Sequence, residues 1–169
     1  ETKIAKEIIS LRQDQLDCDW GWKDPRTCLF LHQWKELIPD LKTIIVWRPC
    51  DQVVHSLIRR WTRKISRKLI LDPIWAIRVW NAYNYSALNY ALCFPKDVII
   101  VPLERLLSND QAILDYVNDR FRLSLSHKSI QTVYEQEMLE QNPPGYLREI
   151  CSLLGNKKIE DRLLSWSPI

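Results

Sequence analysis

The sequence predicts an α/β fold in which a parallel sheet is flanked by helices, followed by a helical C-terminal part. Three observations carry this. Short β-branched runs at Thr43 to Trp47 and Val98 to Val101 have strand length. Stretches with apolar residues at three- and four-residue spacing separate them. Strands alternating with helices imply a parallel sheet, because parallel neighbours need a crossover long enough to hold a helix.

Taken in order, residues 3 to 16 place Ile4, Ile8 and Leu11 on one face of a predicted amphipathic helix leading into the sheet. The segment Trp20 to Lys23 alternates bulky and small residues and reads as a first strand. Asp24-Pro25 then supplies an N-cap and a first-turn proline for a helix running to about Leu37. Pro39-Asp40 breaks that helix, and Thr43 to Trp47 is expected as a strand buried on both faces. Arg48-Pro49 closes it and opens a helix bearing Val53, Val54, Leu57, Ile58 and Trp61 at helical spacing. Asp72-Pro73 repeats the cap-plus-proline start for a long helix to about Cys93, and Val98 to Val101 follows as a third strand. Helices are expected over Asn109 to Phe121, His127 to Leu139, Pro144 to Leu154 and Lys157 to Leu164. The expected organisation is one domain over 1–169, with 127–169 as a helical tail.

Composition narrows the function. With 46% apolar and 27% charged residues, the 169-residue chain can bury one core. No apolar run reaches the roughly 18 to 20 residues that span a bilayer, since Arg78, Asn81, Asn84 and Asn89 interrupt the Trp-rich stretch from Ile74 to Phe94. No leader segment follows Glu1, and the expected compartment is the cytoplasm. Five cysteines without CxxC pairs or histidines at zinc spacing argue against a metal site and against a disulfide framework. A net charge of +3 does not by itself imply a nucleic-acid binder. Six basic residues do fall within ten positions, namely Arg59, Arg60, Arg63, Lys64, Arg67 and Lys68. A solvated helix face is the first reading of that run, an anionic acceptor the second and nucleic acid the third. No nucleic-acid partner is therefore expected.

Ligands of parallel α/β sheets bind beyond the carboxyl ends of the strands, where helix N-termini favour anions. Two such ends carry cations: Lys23-Asp24-Pro25-Arg26, and Arg48 with the helix bearing Ser56 and Arg60. A spacing of four puts Ser56 and Arg60 on one helix face. His55 points away from that face, and Glu104 reads as a structural carboxylate rather than a base.

These segments resemble the sulfotransferases that use 3'-phosphoadenosine 5'-phosphosulfate. The resemblance is carried by Trp20-Gly-Trp-Lys-Asp-Pro-Arg26, Ile44-Ile-Val-Trp-Arg48, Val54-His-Ser-Leu-Ile-Arg-Arg60, Trp80-Asn-Ala-Tyr-Asn84 and Val101-Pro-Leu-Glu-Arg-Leu-Leu107, and covers about residues 5 to 126. The first form is similar to bacterial members, and the Lys-Asp-Pro and Val-His-Ser elements to tyrosylprotein sulfotransferases. It implies a P-loop-like sulfotransferase fold, in part. It also implies that Arg48 and Ser56 bind the cofactor's 3'-phosphate with Arg60 as a third ligand. Lys23 would stabilise charge on the bridging oxygen during transfer, with Arg26 assisting. The implied product is 3'-phosphoadenosine 5'-phosphate, and no metal is implied. The acceptor would be a hydroxyl or amine on a small molecule, carbohydrate, lipid or peptide. The alternative is a sulfotransferase-like module that binds a nucleotide or protein without catalysis.

Three departures from the family pattern stand beside the matches. The proline usually two residues beyond the strand-end arginine is replaced by Cys50, with Pro49 preceding it. Leu103 stands where a tyrosine beside the adenine is usual, leaving Tyr83 as the candidate for base contact. The Gly-rich Arg-Ser-Gly-Thr type loop that wraps the phosphosulfate is absent, since Gly21, Gly145 and Gly155 lie in other contexts. The expectation is that the central strand, the donor loop and the catalytic base lie upstream of Glu1, and that these residues alone transfer no sulfonate.

Overall fold

The computed structural model describes Glu7, Ile9, Ser10 and residues 20–64, 72–130 and 142–168, with the backbone alone for 61–64. Of the helix expected over 3 to 16, the three described residues are helical and Ile9 is buried; the remainder lies outside the described residues, as does Cys18.

Among the described residues two strands form one parallel pair, β1 (Thr43–Trp47) and β2 (Val98–Pro102), in register from Thr43 against Val98 to Trp47 against Pro102. A 3-10 turn (Pro25–Leu29) and helix α1 (Leu31–Leu37) precede β1. Two helices make the crossover, α2 (Cys50–Lys64) and α3 (Pro73–Cys93). After β2 come α4 (Leu103–Ser108), α5 (Asp110–Phe121), α6 (Gly145–Leu153) and α7 (Asn156–Ser165). The mixed α/β character and parallel pairing agree with the sequence.

The cap chemistry sets the helix starts. Asp72 accepts the amide of Ile74 at 2.9 Å with Pro73 in the first turn of α3, and Asp24 accepts the amide of Arg26 at 2.8 Å with Pro25 in the 3-10 turn. Arg122 ends α5 in the left-handed region at φ 56°, and the amide of Leu123 closes onto the carbonyl of Asn118.

Three expectations are corrected. Trp20 to Lys23 is not a strand: Trp22 stacks on Trp20, meets the ring of Trp34 at 4.8 Å and donates its indole N–H to Thr27. Its alternation of large and small residues serves this aromatic cluster against α1, and a strand needs a hydrogen-bonded neighbour that this segment lacks among the described residues. Nor is β1 buried on both faces, because Ile44 and Val46 remain 47% and 44% exposed. Finally, His127 to Ser129 are not helical. The carboxylate of Asp110 accepts the amide of Ile130 at 3.0 Å and meets His127 Nε2 at 3.2 Å, which draws this stretch across the start of α5. Residues 131–139 of that expected helix lie outside the described residues.

The core has two parts, one on each side of the sheet. Val98 and Ile100 join Trp47, Val54, Ile77, Trp80 and Tyr90 in the larger one, and Leu147, Cys151, Ile159 and Leu163 of α6 and α7 belong to it as well. The C-terminal helices are thus packed into the same core as the crossover, with α6 on α2 and α7 on α3 and β2. Ile99 and Val101 face the other way, onto Ile113, Val117 and Phe121 of α5. The two strands are further tied at their start. Thr43 donates its amide to the Asp97 carbonyl at 2.8 Å, and the Asp97 carboxylate holds Lys42 and, at 2.6 Å, Lys35.

Candidate functional site

Arg48 follows the last residue of β1, and its carbonyl accepts the indole N–H of Trp80 at 3.0 Å. This bond joins the strand end to the middle of α3. Less than two turns further along α3, Ser86 donates to the carbonyl of Cys28 in the 3-10 turn at 2.6 Å. The long helix therefore brings the Lys23 to Arg26 segment and the Arg48 strand end to neighbouring turns. These are the two cationic segments that the sequence singled out.

On α2, Arg60 Nη2 donates to Ser56 Oγ at 3.2 Å on the exposed side of the helix, as their spacing requires. Ser56 lies six residues beyond Cys50, about 9 Å along the helix axis at 1.5 Å per residue. The helix-end charge fades within the first turn. An anion at Ser56 and Arg60 would thus be held by side chains rather than by the amides of the helix mouth. Arg48 is half-buried at that mouth.

Lys23 is exposed, and Arg26 is committed locally. Its guanidinium meets the Asp24 carboxylate through Nη2 at 2.6 Å and Nε at 3.0 Å. The hydrogen bonds from the Arg26 side chain and amide hold the Asp24 carboxyl down at about 2, and the charge of Lys23 adds to this. The Lys-Asp-Pro-Arg element is thus a turn in which Arg26 pairs with Asp24 and both cations are exposed.

The mouth of α2 shows what sequence reasoning missed. The Cys50 amide donates to the Glu160 carboxylate of α7 at 2.8 Å, so the first free N–H of the helix is met by the chain's own anion. Asp51 accepts its neighbour Gln52's amide at 2.8 Å and pairs with Arg148 of α6 at 3.3 Å. Asn156, fully buried at the start of α7, donates Nδ2 to Asn81 Oδ1 at 2.6 Å and toward the Cys50 sulfur at 3.1 Å. Burial pushes the Cys50 and Cys151 thiols up, which keeps both protonated at neutral pH. Burial also raises the Glu160 carboxyl against the pull of the Cys50 amide, with Asp51 and Asp161 adding to the rise.

This arrangement gives the cysteine at position 50 a physical meaning. A proline would have no N–H to offer Glu160, so Cys50 and Glu160 form one unit. No signal in the sequence links them, because 110 residues separate the two partners.

No family model, no curated protein and no solved structure matches the chain. Among the described residues no helix is long and apolar enough to cross a membrane.

Proposed function

We propose that the chain is a sulfotransferase domain, in part, acting on a hydroxyl or amine acceptor, with Arg48, Ser56 and Arg60 holding the 3'-phosphate of 3'-phosphoadenosine 5'-phosphosulfate. The observation that carries this reading is the Ser56 and Arg60 contact on the helix that directly follows the Arg48 strand end. Two guanidinium groups and a hydroxyl match the charge and acceptor oxygens of a phosphate monoester. The cofactor supplies a sulfonate on a phosphate leaving group. In this reading Lys23 stabilises the charge left on the bridging oxygen, with Arg26 assisting. Catalysis of this kind rests on positioning and charge, without a covalent intermediate.

One observation favours a second reading, a sulfotransferase-like binding module without turnover. Glu160 already satisfies the mouth of α2, and a carboxylate there repels an incoming anion.

Calorimetry with 3'-phosphoadenosine 5'-phosphate and with adenosine 5'-phosphate tests the site. Arg48→Ala should weaken the first ligand by about 1.5 to 3 kcal/mol, roughly 10- to 150-fold, and leave the second almost unchanged. Equal losses for both ligands would remove Arg48 from the 3'-phosphate. Transfer of labelled sulfonate to phenol, sugar and peptide acceptors, assayed with a strand and phosphosulfate-binding loop supplied ahead of Glu1, separates the two readings, since silence of that completed protein with intact nucleotide binding supports the module.

A further inference from the structure

The long helix α3 buries one face and, among the described residues, leaves the opposite face exposed. Ala76, Ile77, Trp80, Ala87, Leu88, Tyr90 and Ala91 are buried in the core. The outward stripe consists of Trp75, Arg78, Ala82, Tyr85, Asn89 and Leu92, all exposed. Trp75, Tyr85 and Leu92 show 54%, 51% and 52% of their surface to solvent. The outer face of a surface helix is ordinarily charged; here it carries one charge, Arg78.

The stripe repeats at alternating intervals of three and four residues, the pattern of a two-helix seam. From Trp75 to Leu92 it extends about 26 Å. Its chemistry is self-complementary in only one direction. If a second α3 is laid antiparallel, with the two-fold axis level with the Tyr83–Asn84 peptide, Ala82 falls opposite Tyr85 and a small residue receives a large one. Trp75 falls opposite Leu92, apolar against apolar. Arg78 falls opposite Asn89, whose amide oxygen accepts from a guanidinium. A parallel pair in register would instead set Arg78 against Arg78 and Trp75 against Trp75.

We propose that this face of α3 is the interface with a second copy of the same chain, formed by antiparallel packing of the two α3 helices. Residue i of one copy meets residue j of the other and the reverse, as a two-fold interface demands. Each aromatic ring would lose roughly half of the 150 to 250 Å² that such a side chain buries when fully enclosed. The interface lies on the outer side of α3 and does not depend on the proposed nucleotide site.

Sedimentation across a range of concentrations tests this with the full chain. The wild type is expected to pass from monomer to dimer, and Ala82→Glu to raise the midpoint concentration about tenfold or more, since it sets two carboxylates in the centre of the seam. Position 82 is exposed in the monomer, so circular dichroism of the variant should match the wild type. The register is read at Asn89. Asn89→Glu faces Arg78 of the second copy and should tighten the dimer, whereas Asn89→Lys should loosen it. Leu153→Ser on α6, outside the stripe, should leave the midpoint in place. A chain that stays monomeric at every concentration would overturn the proposal. So would a dimer indifferent to Ala82→Glu, or one that responds alike to Asn89→Glu and Asn89→Lys.

Discussion

The two strands are almost interchangeable as sequences, Thr-Ile-Ile-Val-Trp and Val-Ile-Ile-Val-Pro, yet the molecule uses them differently. Every residue of β2 is buried, because α5 covers Ile99 and Val101 while the crossover helices and α7 cover Val98 and Ile100. On β1, Trp47 is buried on the larger-core side, while Ile44 and Val46, which share the α5 side of the sheet through their pairing with Ile99 and Val101, stay half-exposed. β2 is thus a structural strand. β1 is a half-covered strand whose carboxyl end carries the candidate site. A strand that positions ligands must keep its end near the surface, and the fully wrapped strand beside it supplies the rigidity.

The largest expected break in this comparison is Ile100→Ala, which empties a fully buried position of the larger core. It should cost about 2 to 5 kcal/mol in urea unfolding, whereas Ile44→Thr on β1 should stay within about 1 kcal/mol. Equal losses would mean that β1 is covered as fully as β2.

A smaller effect is expected where the strands are tied together. Burial would raise the Asp97 carboxyl, but the hydrogen bonds and charges of Lys35 and Lys42 outweigh it and hold it below its ordinary value. Its contribution is therefore complete above the unfolded aspartate value of about 3.9 and is lost as pH falls through the lowered folded value. Asp97→Asn should cost about 1.5 to 3 kcal/mol at pH 7 and less on acidification. A pH-independent difference would show that the ion pairs contribute nothing.

The smallest effect is expected at the β1 end. Glu160 has a raised folded value, so its favourable contribution is present below the unfolded glutamate value of about 4.3 and is lost as pH rises through the folded value. Glu160→Gln keeps an acceptor for the Cys50 amide and removes the charge. At pH 7 it should match or exceed the wild type, by up to about 1 kcal/mol, with the difference vanishing near pH 4. If Glu160 opposes an anion at the α2 mouth, the same variant should bind 3'-phosphoadenosine 5'-phosphate more tightly. A loss of stability at pH 7 would identify its charge as a net support of the fold.

Local chemistry determined much of this protein from the sequence alone. Both parallel strands, the long α3 with its Asp72-Pro73 start, and α5, α6 and α7 were legible because caps, prolines and helical periodicity act within a few residues. The shared face of Ser56 and Arg60 was legible for the same reason. Tertiary structure alone decided which apolar run would be wrapped, since the burial of Ile99 and the exposure of Ile44 depend on where α5 comes to lie. It turned the alternation of Trp20 to Lys23 into an aromatic cluster instead of a strand, because a strand exists only beside a partner. It also brought Glu160 to the amide of Cys50 and buried Asn156 between Asn81 and Cys50. Those contacts join residues 75 to 110 positions apart, a range over which neither periodicity nor capping carries any signal.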